Sequence, residues 1–186
     1  MGPYFQHIEN LALQLRQQLV LPAEARLNPA LVLAHMEVDV YESAFDIPGL
    51  DADAAARLCN PDSGFSGTAV EICGQRLVLL NPSHTLERRR VTMMEEVAHF
   101  LFGHTPTRIN VLDQLLPTRE YHAKQEKEAY AFAAASLLPE SEVRALVDGR
   151  RSIAETVLHF GVSRPLIEYR AKTTGWWTSY RQLSAA

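Results

Sequence analysis

The segment Arg88–His104 limits what this chain can fold into more than any other. Its apolar residues recur at helical spacing: Val91, Met94, Ala98 and Leu101 form one stripe, and Met93, Val97 and Phe100 widen it. A helix that is apolar nearly all round belongs in a protein interior. Yet Glu95, Glu96 and His99 stand in its middle. An ionisable group buried alone costs several kcal/mol or gives up its charge. Three of them within five residues call for a compensating charge, and a metal cation would supply it.

Residues four apart on a helix share a face, so Glu95 and His99 point the same way, with Glu96 one step round. This is the layout of the H-E-x-x-H zinc helix, where two histidines hold the metal and the Glu between them is the general base. Here the first position is glutamate, and the pattern reads E-E-x-x-H. The competing reading is a buried polar network of acids and imidazole that hydrogen-bond one another after the metal was lost.

A second long helix is expected from about Thr118 to Leu138, stopped by Pro139. Glu126, Ala129, Ala133 and Leu137 share one of its faces, and His122 lies four residues before Glu126. Lys124, Lys127 and Glu128 fall on the solvent side. Small alanines let two helices approach closely, so a carboxylate from this helix is expected to meet the motif helix.

The rest of the chain reads as short elements. Ile8, Leu11, Ala12, Leu15 and Leu19 make an amphipathic first helix ended near Pro22, and Asn28-Pro29 opens a second that runs to about Ala34. Residues 36–42 alternate as a half-buried strand, and 52–58 form a brief helix. Residues 64–72 and 77–80 form a hairpin turning at Cys73–Arg76. Arg88, Arg89 and Arg90 read as a solvated helix start, and Gly103 with Pro106 ends the motif helix. A loop of middling polarity is expected over 107–117. Beyond Pro139 come a helix over 140–147, a capping box of Ser152 with Glu155, a turn over 160–163 and a last helix over 164–172. Trp176 and Trp177 read as a core anchor.

A chain of 186 residues can bury a substantial core as one domain with a small appendage. Its net charge of −4 disfavours general nucleic-acid or anionic-membrane binding. Two cysteines, Cys59 and Cys73, make no disulfide framework or zinc ribbon. No apolar run is long enough to span a bilayer, and the first residues lack the basic-then-apolar order of a secretory signal. A cytoplasmic, reducing location is the expectation.

Three blocks make the sequence resemble the ImmA/IrrE family of bacterial and phage regulatory metallopeptidases. The first runs from Arg90 to Leu101 and is similar to that family's R-x-x-x-x-x-H-E-x-x-H-x-L. The second, Glu126 to Pro139, resembles E-x-x-A-n-x-F-A-a-x-L-L-x-P, where the leading Glu is the third metal ligand. The third, Ile153 to Arg170, resembles the helix-turn-helix-like tail. The resemblance implies Glu96 as general base and His99 and Glu126 as metal ligands, with Glu95 where the family places its first histidine. His122 and His104 are candidates to replace the missing imidazole. Zinc is the implied metal, and the oxygen-rich set also suits manganese or magnesium. One imidazole with two carboxylates puts more negative charge on the cation than two imidazoles do, which leaves a bound water less acidic.

The resulting expectation is an α+β, small zincin-like domain. It has a short, mostly antiparallel sheet and two packed site helices over residues 1–139, and a helical, helix-turn-helix-like segment over 140–186. Its implied role is that of a metallopeptidase-like regulator, cutting a protein substrate such as a helix-turn-helix repressor. The alternative is a catalytically impaired pseudopeptidase that binds a partner. A DNA-binding regulator using Arg164, Arg170 and Lys172 is the weakest of the three, since packing explains Ile153, Val157, Leu166 and Ile167 equally well.

Overall fold

Several helices begin where the sequence supplies a cap. A computed structural model describes residues 1–63, 65–72, 75–104 and 123–185. Helix α1 (Pro3–Gln18) opens on proline, which has no N–H to leave unsatisfied at the first turn. Asn28 Oδ1 accepts from Ala30 N to start α2 (Pro29–His35), and Asp51 accepts from Asp53 N and Ala54 N to start α3 (Ala52–Leu58). Thr85 does the same for the motif helix, α4 (Leu86–Leu101). The second site helix is α5 (Ala123–Leu137). Five residues of the longer helix read from the sequence, 118–122, lie outside the described residues, as do the 107–117 loop and the hairpin-turn residues Cys73 and Gly74.

Three strands form the sheet: β1 (Val38–Tyr41), β2 (Gly67–Ile72) and β3 (Gln75–Leu80), in the order β1-β3-β2. The β2–β3 hairpin is antiparallel over six register pairs, from Gly67 opposite Leu80 to Ile72 opposite Gln75. Strand β1 joins β3 in parallel over four pairs, so most of the pairing is antiparallel, as expected, while β1 is not. That parallel ladder requires a crossover, and α3 lies within the connection. Helix α4 covers the sheet on the β2 and β3 side. The approach is close: a Cβ on Gly67 would stand 2.5 Å from Thr92 Cγ2 and 3.0 Å from the Leu79 carbonyl oxygen.

Helix α4 packs most extensively on α5, and α5 in turn on α1. The alanines make this possible. Ala129, Ala131, Ala133, Ala134 and Ala135 are all buried, and with Phe132, Leu137, Met94, Val97 and Ala98 they belong to one hydrophobic core. Beyond Pro139 the chain forms α6 (Glu140–Val147), α7 (Ile153–Phe160), α8 (Arg164–Thr174) and α9 (Trp177–Ala185). The Ser152–Glu155 capping box is present at the start of α7. Helix α9 lies beyond the sequence expectation for Trp176 and Trp177.

Three arginines hold these layers together through backbone carbonyls. Arg16 on α1 is 1% exposed and donates to the carbonyls of Ser136, Pro22, Ala23 and Ala25. Arg170 on α8 donates to Leu138 O at 2.8 Å and pairs with the Glu9 carboxylate. Arg90 corrects the expectation of a solvated helix start: its guanidinium reaches Gly161 O at 3.0 Å, Leu27 O at 2.7 Å and Phe160 O at 3.1 Å. Burial, with Arg26 nearby, lowers its pKa to about 10. Arg88 and Arg89 bond the Ser66 hydroxyl and Glu42 at the surface. No helix among the described residues is long and apolar enough to cross a membrane.

Candidate metal centre

The contact between α4 and α5 brings His99 and Glu126 together. His99 Nε2 lies 3.8 Å from Glu126 Oε1, and both side chains are largely enclosed, at 15% and 18% exposure. The sequence spacing explains the pairing. His99 is one turn beyond Glu95 on the inner side of α4, and Glu126 is one turn before Ala129 and Tyr130 at the start of α5, where small residues let the helices close. The separation is an ion-pair distance if His99 is protonated and too long for a hydrogen bond. Two donors bound to one cation at about 2.0–2.2 Å would stand roughly 3.4 Å apart at a tetrahedral angle. The pair therefore fits a cation with a small closing movement. Among the described residues no three His, Cys, Asp or Glu side chains form a complete set for a metal ion.

Glu95 occupies the next turn toward the start of α4 and is half-buried. Tyr130 of α5 senses it: burial raises the phenol pKa first, and the nearby Glu95 charge adds to the rise. Glu96 is 5% exposed and turns toward the sheet, where its Oε2 accepts from Ala69 N at 3.0 Å. This contact has a backbone origin. Asn81 N donates to Ser66 O across the hairpin, and the antiparallel ladder alternates, so the Ala69 N–H faces away from β3 toward the outer edge of β2. Glu96 thus sits at the outer edge of β2, the last strand of the sheet among the described residues, a contact the sequence did not reveal.

His104 lies past the helix end, and its placement also has a local cause. Phe102 caps α4, Gly103 adopts the left-handed conformation at φ +61°, and His104 N bonds back to His99 O at 3.0 Å. That turn folds the chain so that His104 Nδ1 stands 3.0 Å from His99 Nδ1. On its other side His104 Nε2 lies 3.5 Å from Glu128 Oε2. His104 is therefore on the opposite side of the His99 ring from Glu126. Glu128, expected on the solvent side, is only partly exposed because it faces this histidine. His122 lies outside the described residues.

The tail helices carry less free charge than their sequence suggests. Arg170 is 2% exposed and used internally, and Arg164 Nε lies 3.4 Å from Glu168 Oε1 one turn along α8. Lys172 Nζ sits over the Trp177 ring at 4.4 Å.

Comparison with known proteins fits this geometry. The model of the IrrE N-terminal-like domain, a peptidase family, matches residues 33–172, a span that holds the sheet and both site helices. The resemblance to ImmA/IrrE proteins read from the sequence is thereby borne out. No curated protein matches the sequence. Among solved structures, a Mycobacterium tuberculosis transcriptional regulator superposes with a TM-score of 0.52 at 15% identity. The match covers 92% of this chain and 47% of that one, so this chain spans about half the length of the regulator. At that identity the likeness is one of fold alone.

Proposed function

The chain belongs to the IrrE N-terminal-like peptidase family, and from that premise we propose that it is a metal-dependent, peptidase-like regulator of another protein. The observation that carries this reading is the convergence of His99 Nε2 and Glu126 Oε1 from two packed helices at 3.8 Å. His99 and Glu126 would hold the cation, with Glu95 as the third protein donor from its place in the motif. Residues 1–139 would form the site-bearing part and the helices of 140–186 its support. A divalent cation bound there would polarise a scissile carbonyl and acidify an attacking water. The chain's own groups supply the rest. Glu96 accepts the water's proton, and its bond to the Ala69 N–H fixes the carboxylate beside the outer edge of β2. An extended substrate segment adding to that edge would run past Glu96. The substrate class is a folded regulatory protein with an accessible extended segment, of which a helix-turn-helix repressor is the family's example. The tail helices support the site and do not read DNA.

A second reading, a pseudopeptidase that binds its partner without cutting it, is favoured by two observations. Glu95 replaces an imidazole, which weakens the cation as a Lewis acid. The Glu96 carboxylate is also already engaged by a backbone amide. Metal content after purification without chelator, together with cleavage of co-expressed repressors by wild type and Glu96→Gln, separates the two. Near-stoichiometric metal and cleavage that Glu96→Gln abolishes support the peptidase. Metal-free protein that binds its partner intact supports the alternative.

A further inference from the structure

We propose that His104, backed by Glu128, is a positioning residue for His99: it holds the ring with Nδ1–H turned toward His104 and the Nε2 lone pair turned toward Glu126. Glu128 is the member of the chain whose role is fixed, because an ionised carboxylate only accepts hydrogen bonds. Its Oε2 lies 3.5 Å from His104 Nε2, nearer than Glu126 Oε1 comes to His99 Nε2 at 3.8 Å, so the Nε2–H of the pair belongs to His104. Nδ1 of that ring is then an acceptor. It stands 3.0 Å from His99 Nδ1, and two ring nitrogens at that distance need one proton between them. In this arrangement His99 supplies it.

A neutral His99 protonated at Nδ1 carries its lone pair on Nε2, the nitrogen that faces Glu126 Oε1 at 3.8 Å. Two acceptors then face one another across a gap that a cation suits. Outer partners that donate to or accept from a ligating imidazole fix its tautomer and its direction. The frame around His104 is built for this. Its side chain is 6% exposed, and its ring packs edge-on against Phe102 at 5.5 Å and His99 at 5.0 Å. The left-handed Gly103 and the His104 N to His99 O bond lock its approach. The sequence places His104 five residues beyond His99, just past the end of α4, and Glu128 two beyond Glu126 on α5.

The inference rests on the reading of His99 and Glu126 as the cation-holding pair, but the tautomer belongs to the chain alone and is measured without metal. Long-range proton–nitrogen spectra of the histidine rings in the full-length, metal-free protein report it. Wild type should show His99 protonated at Nδ1 only. His104→Phe keeps the ring contacts and removes the acceptor, so that single form should be lost. His104→Asn offers an amide oxygen to the same proton and should retain it. Glu128→Leu, a second probe independent of the ring's packing, should let the His99 proton move to Nε2. Competition with a chelator should then show zinc binding weakened roughly 10–100-fold by His104→Phe. A wild-type His99 protonated at Nε2 or at both nitrogens overturns the proposal. So does an Nδ1–H form that persists in His104→Phe or in Glu128→Leu. A wild type with the expected tautomer that binds no zinc defeats the metal reading and leaves the positioning role of His104 standing.

Discussion

Replacing Arg170 by Met should cost the protein a large share of its stability. Arg170 and Glu9 have side chains 2% and 4% exposed and lie 161 residues apart in sequence. The guanidinium also donates to Leu138 O at 2.8 Å, just past the end of α5, while Glu9 Oε1 accepts from Glu140 N at 2.7 Å at the start of α6. Met retains much of the apolar stem but leaves Glu9 as a buried carboxylate satisfied by one amide. Removing one partner of a buried pair costs about 3–5 kcal/mol, against a total stability of order 5–15 kcal/mol. For a chain of this size each kcal/mol is worth about 2–4 °C, so the melting temperature should fall by about 6–20 °C. Urea unfolding followed by circular dichroism measures the free energy, and a thermal scan the shift. The double variant Glu9→Gln, Arg170→Met removes the stranded charge and should recover part of the loss. A loss below about 1 kcal/mol, or a strictly additive double variant, would refute the buried pair and return Arg170 to the surface, where α8 could again be read as a DNA-facing helix.

Restoring the motif by Glu95→His should raise zinc affinity about tenfold or more, since one further imidazole bond need contribute only about 1.4 kcal/mol. An unchanged affinity would mean that the Glu95 position does not face the cation. Tyr169 offers a pH test: its hydroxyl is buried without a hydrogen-bond partner among the described residues, and burial, with Tyr130 beside it, pushes its pKa to about 12. The unfolded chain releases that proton near pH 10 and the folded chain near 12, so the unfolded state binds fewer protons in between and stability falls as pH rises through that window. Tyr169→Phe should flatten that fall and cost little at neutral pH, because no hydrogen bond is lost. Equal alkaline losses in both proteins would contradict the assignment.

Local signals in the sequence carried far, and long-range ones did not. Asn28-Pro29 and Ser152 with Glu155 mark helix starts through caps within three residues, and both are found capping. The motif helix and the alanine face of α5 follow from periodicity, and the family resemblance singled out Glu126 as the residue to meet His99. The role of Arg90 is not legible in the sequence because its acceptors, Leu27, Phe160 and Gly161, are 63 to 71 residues away, and a run of three arginines looks the same whether solvated or clamped. Helix α9 does not show in the sequence because Thr178, Ser179, Gln182 and Ser184 dilute its periodicity, while its hold on the core comes from Tyr180, 1% exposed. The alternation over 36–42 identified β1 but not its parallel partner, which side-chain pattern does not encode. The direction of His104 depends on the left-handed turn at Gly103, a backbone event visible in sequence only as a glycine.

A metal-dependent role for this protein requires one cation shared by His99 and Glu126. A crystal of the full chain soaked with zinc, with anomalous scattering used to place the metal, addresses this directly. The expected result is an ion bonded to His99 Nε2 and a Glu126 carboxylate oxygen at about 2.0–2.2 Å. An ion on His99 Nδ1, an ion that leaves Glu126 out, or no ion between α4 and α5 would contradict it.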